Sequence, residues 1–152
     1  MTVIGNGEER QLVITTGTQV YEGYIMTKDT GNTLKTALAT AEDAAMVGIA
    51  LKKTVDGNGN ARVTRAGETV AIALLGCGKV VQVASIAGQT YTTGLAVYAS
   101  SSDGSGVDGQ CADSDDKSGS GATKIGHYVG AGEASVSAGT LIDVMLDVAN
   151  KG

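Results

Sequence analysis

At 152 residues the chain is long enough for one domain, or for two small halves sharing a core, and its apolar content is alanine, valine, leucine and isoleucine, with 23 glycines, five tyrosines and no proline, phenylalanine or tryptophan. A net charge of −5, with lysines and arginines scattered and no basic run, argues against DNA or RNA as a direct partner. No stretch reaches the roughly 18 to 20 apolar residues of a membrane helix, and Met1 to Gln11 lacks the basic-then-apolar order of a signal peptide, so the expectation is a soluble chain made in the cytoplasm without a membrane partner.

In chain order, residues 1–16 read as an N-terminal arm, polar and glycine-containing at first and strand-like over Gln11–Thr16 (QLVITT). A β unit follows from Gly17 to Thr27, and Thr40–Met46 (TAEDAAM) is the best helix candidate, capped by Thr40 and stopped by Gly48. Val70–Leu74 alternates large apolar with small residues, the period of a half-buried strand. The stretch GCGKVV is read as a turn, then Lys79–Ser85 and Gly88–Tyr98 as strand-like. Residues 101–121 are dominated by serine, glycine and aspartate and are expected to form an exposed loop, with a short strand around Val107–Ala112. The rest, 17–152, is expected to be a single β-rich domain.

The chain spells one pattern twice. With Gly67 placed over Gly139, Val70, Ile72 and Leu74 fall over Ile142, Val144 and Leu146. Upstream, Val47–Leu51 matches Ile125–Val129, and Gly17–Thr27 resembles Gly88–Tyr98 with Gly23 over Gly94. Two copies of a short-strand unit, each unable to bury its apolar face alone, predict an all-β fold: a small barrel or sandwich built from two similar halves, with at most one or two short helices.

Candidate chemistry is sparse, and no catalytic, cofactor-binding or metal-binding residues are assigned. The lone histidine, His127, sits in the strand-like IGHYV and reads as structural or surface. Cys77 and Cys111 lack metal-site spacing and read as two free thiols, with a bridge within or between chains as the sharper alternative. Asp56–Asn60 (DGNGN) begins like an EF-hand loop but has Ala61 where glycine is needed and Gly67 in place of the bidentate glutamate, so it reads as a hairpin turn. Tyr21, Tyr24, Tyr91, Tyr98 and Tyr128 could stack on sugar rings or fill interfaces.

The glycine-anchored order, a strand after YEGY, then AGETVAIALLGCGKVVQVAS, GLAVYAS, a variable loop and KIGHYVGAGEASVSAGTLIDVMLD, resembles the capsid cement (head decoration) proteins of tailed phages and related viruses, over roughly Gly17–Val148. The resemblance implies a non-enzymatic structural virion protein on the outer surface of the expanded capsid, stabilising it against internal DNA pressure. It also implies the major capsid protein as partner, a homotrimer at local three-fold positions, and an arm, residues 1–16, ordering on the shell. The alternative expectation is a carbohydrate-binding or adhesive module of a virion fibre or tail accessory.

Overall fold

The computed structural model describes residues 20–28, 46–51, 58, 69–99, 109–113 and 124–148 in full, and the backbone alone at three further strands, Val3–Ile4, Glu9–Val13 and Leu34–Thr36. The strands in chain order are β1 (Val3–Ile4), β2 (Glu9–Val13), β3 (Ile25–Lys28), β4 (Leu34–Thr36), β5 (Met46–Ala50) and β6 (Thr69–Leu74). They continue with β7 (Val80–Ala84), β8 (Ala96–Ala99), β9 (Cys111–Ala112), β10 (Lys124–Tyr128) and β11 (Leu141–Leu146). All named strand pairs are antiparallel, in two sheets ordered β1-β2-β6-β5-β3-β4 and β7-β11-β10-β8-β9. The fold is all-β, and there is no helix among the described residues.

The repeat read from the sequence is a repeat of register. Gly48 on β5 stands opposite Leu74 on β6, as Gly126 on β10 stands opposite Leu146 on β11. Met26 faces Gly48 and Val97 faces Gly126, and the β3–β5 and β8–β10 ladders each shift register one step further on, where Val47 and Ile125 are skipped. The hydrogen bonds match too. Gly23 N–H donates to Ala50 and Gly94 N–H to Tyr128, both at 2.8 Å; Tyr24 N–H donates to Tyr21 at 3.2 Å and Leu95 N–H to Thr92 at 3.1 Å. Gly23 and Gly94 both take a left-handed φ, +83° and +86°, which a glycine adopts without the Cβ clash other residues meet. A bulge conserved between copies fixes where each strand bends and pins the alternation of its faces.

The halves are joined at a seam. In the second sheet, Ser85, just past β7, bridges Cys111 on β9, so the two edge strands of that sheet meet and it closes towards a barrel. Beside that bridge the first half is wedged in: Ala84 N–H donates to Gly23 at 2.9 Å, and Ile25 N–H donates to Gly109 at 2.7 Å. Edge groups that would otherwise need water are thereby paired within the chain.

The two copies bury different faces. One face of the first sheet forms its own cluster with Val20, Met26, Ala50, Val70 and Ile72. Its opposite face, with Ile25, Ile49 and Ala73, joins the interior of the second half, where Val83, Val97, Tyr128, Ile142, Val144 and Leu146 pack. At β3, β5 and β6 the first sheet therefore buries both faces. The second buries one.

Two expectations are corrected, and two stretches of the expected arm, Val3–Ile4 and Glu9–Val13, are ladder strands: β1 pairs with β2 and β2 with β6, because main-chain ladder bonds need no apolar side chain. Within the supposedly exposed segment 101–121, Gln110, Cys111 and Ala112 are buried, drawn in by the Ser85 bridge and the Ile25–Gly109 bond. The strand expected around Val107–Ala112 is confined, among the described residues, to β9. Of the helix expected at Thr40–Met46, Met46 instead opens β5; residues 40–45 lie outside the described residues, as does the DGNGN turn apart from Asn58.

Candidate functional site

The open face of the second sheet is the candidate interaction surface. Strand register lines up Val80, Met145, His127 and Ala96 across β7, β11, β10 and β8. The matching row of the first half is Glu9, Ala73, Ile49 and Ile25. Ala73, Ile49 and Ile25 are buried in the shared core, whereas Val80 is 57% and Met145 43% exposed. Val129, the counterpart of Leu51, is exposed next to this row; Leu51 packs on the core.

Polar groups flank the row. Lys124 Nζ lies 3.4 Å and His127 Nδ1 3.1 Å from the Asp147 carboxylate. Gln82 Nε2 reaches Asp143 Oδ1 at 3.5 Å. Ion pairs this exposed contribute at most about 1 kcal/mol each. They give the face a polar rim around a strip that is apolar at Val80, Met145 and Ala96 and polar at His127, a layout met in many protein–protein interfaces.

Ser85, Tyr91 and Cys111 lie elsewhere and are enclosed. Ser85 Oγ donates to the Ile86 carbonyl at 2.8 Å, which uses its only proton, so the 2.6 Å contact with Tyr91 Oη has the tyrosine as donor. Tyr91 Oη is also 3.6 Å from Cys111 Sγ. Burial pushes the Cys111 thiol up to about 12, and burial followed by the neighbouring Cys111 raises the Tyr91 phenol. A neutral buried thiol is a poor nucleophile. His127, the one possible imidazole base, faces Asp147 on the open face.

Both cysteines are free, so the chain carries no internal bridge. In native protein a disulfide-exchange reagent is expected to titrate the half-buried Cys77 first and Cys111 only after denaturant is added; equal rates would show that the core around Cys111 opens freely. Because the folded pKa of Cys111 lies above its unfolded value of 9.0, folding holds that proton more tightly. Its contribution to stability is complete below about pH 9 and is lost as pH rises towards 12, and the raised Tyr91 acts in the same direction.

The five tyrosines do not share a face. Tyr91 and Tyr128 are core, their ring centroids 5.5 Å apart. Tyr98 is half-buried on β8, and Tyr21 and Tyr24 stand together at the seam between halves. Composition gave no signal for Gln110, which is buried beside that pair although its neighbours in sequence read as a solvated loop. Among the described residues no group of His, Cys, Asp and Glu side chains could hold a metal ion, and no helix is long and apolar enough to cross a membrane. No protein-family model matches the chain, and no curated protein matches it.

Proposed function

We propose that the protein is a structural virion component that binds the outer surface of the expanded capsid, as a homotrimer at local three-fold positions, and stiffens the shell against internal DNA pressure. The observation that carries this reading is the strip Val80–Met145–His127–Ala96. It is a β face left open in the second copy of a unit whose first copy uses the same face for packing. The partner of that strip is the major capsid protein. The glycine-anchored sequence pattern supports the assignment, as does the enclosure of Ser85 and Cys111 in the core. Lattice-wide repetition lets modest contacts per subunit hold firmly through avidity.

The test is stoichiometry. In purified particles from the source virus, quantitative mass spectrometry should find this protein and the major coat protein near one to one. Met145→Glu should lower occupancy at least tenfold while leaving the melting temperature of the free protein nearly unchanged. A handful of copies per particle, or none, discards the reading.

A further inference from the structure

The seam between the halves holds a cleft of about 410 Å3 that the capsid reading does not use. Tyr21, Glu22 and Tyr24 of the first half form one wall, and Ala84, Gln110 and Leu141 of the second stand opposite. The volume is within the roughly 300–1,000 Å3 range of small-molecule sites. The Tyr21 and Tyr24 rings are 5.1 Å apart and tilted by 46°, and both line the cleft.

The repeat serves as an internal control on what the fold itself needs here. The same turn, with the same hydrogen bond and the same left-handed glycine, is built in the second half from Thr92 and Leu95 in place of Tyr21 and Tyr24. Neither tyrosine is required by the turn. Among the described residues the second-half turn is exposed and meets no facing wall, whereas Gly23 is buried against Ala84 and Leu141, so the aromatic pair stands where a facing wall makes a cleft.

A second observation is independent of the rings. Gln110 is only 5% exposed; its Nε2 donates to Tyr24 Oη at 3.2 Å, yet its Oε1 is buried without a hydrogen-bond partner. Exchanging the amide oxygen and nitrogen would leave the nitrogen unpaired in its place. An orphaned buried amide group is costly, and a rotation of this side chain, which already lines the cleft, would present it to a ligand hydroxyl.

From this geometry we infer that the cleft binds a neutral saccharide. The aromatic faces suit the apolar C–H face of a pyranose ring, while Glu22, Gln110 and the tyrosine hydroxyls supply acceptors and donors for ring hydroxyls. Among the described residues no lysine or arginine lines the cleft, and Glu22 stands on its wall, so phosphorylated, sulfated and sialylated ligands are disfavoured. The inference does not depend on the capsid assignment.

The experiment is saturation-transfer NMR on the full chain with millimolar maltose, lactose, cellobiose, chitobiose and mannobiose, and with sialyllactose as the anionic comparison. At least one neutral disaccharide should receive saturation. Tyr21→Ala and Glu22→Gln should each weaken its binding at least tenfold, with Thr92→Ala, at the equivalent turn, leaving it unchanged. Dispersed amide spectra of each variant establish that the fold is intact. Absence of transfer to every neutral sugar, transfer to sialyllactose alone, or binding indifferent to both seam variants overturns the inference.

Discussion

Replacing Gly48 or Gly126 by alanine should cost at least about 3 kcal/mol each, moving the urea midpoint by more than about 1 M, or leave the protein insoluble. A Cβ at Gly48 would lie under 3.0 Å from the carbonyl oxygen of Ala73, and at Gly126 from that of Met145. Backbone of a central strand cannot retreat as a flexible side-chain tip can. The ladder partners on both sides would have to separate, with loss of the bonds that place the bulge at Val47 and Ile125. Gly94→Ala is the control. Its Cβ meets nothing within 4 Å, so only the strain of φ +86° remains, about 1–2 kcal/mol. Equal losses at Gly94 and Gly126 would mean that backbone conformation, not strand approach, sets the requirement. Since small domains are stable by only about 5–15 kcal/mol, the two close-approach substitutions each remove a large share of the total.

The same glycines were the most legible part of the sequence. Val47-Gly48 and Ile125-Gly126 are recognisable because a residue type forced by close approach cannot drift, and the alternation of Val70, Ile72 and Leu74 and of Ile142, Val144 and Leu146 survives because each lies on a buried face. Gln11–Thr16 read as strand-like from its β-branched residues, and Glu9–Val13 is a ladder strand, but side-chain pattern is silent about which partner a strand pairs with, so its place beside β6 was not legible. Gln110 was hidden for the opposite reason: the local composition is that of a solvated loop, and only the non-local bridge from Cys111 to Ser85 takes it inside. The open face did leave a trace. Asp143 stands where the first copy has Ala71, and His127 where it has Ile49, polar residues at positions that a covered face would keep apolar.

The difference between the two faces predicts a large asymmetry between equivalent positions. Ile49→Ala should destabilise the protein by about 2–5 kcal/mol, because Ile49 is fully buried where the first sheet joins the core of the second half, and the vacated volume is hemmed in by Ile25 and Ala73. His127→Ala, at the same place in the repeat, should change stability by less than about 1 kcal/mol, since it removes only a half-exposed contact with Asp147. The reciprocal exchanges sharpen the test. Ile49→His would bury an imidazole with no partner assigned to it and should be the more damaging substitution at that site, by the desolvation of an unpaired polar group. His127→Ile would merely widen the apolar strip beside Met145 and Val80 and should leave the folded state nearly as stable as before. Urea denaturation of the four variants decides it. Matched losses at the two positions would mean that both sheets bury the same face, and the open strip would then be no surface on which a partner could rest. A clear split between them would establish that the second copy leaves open a face which the first needs for the shared core.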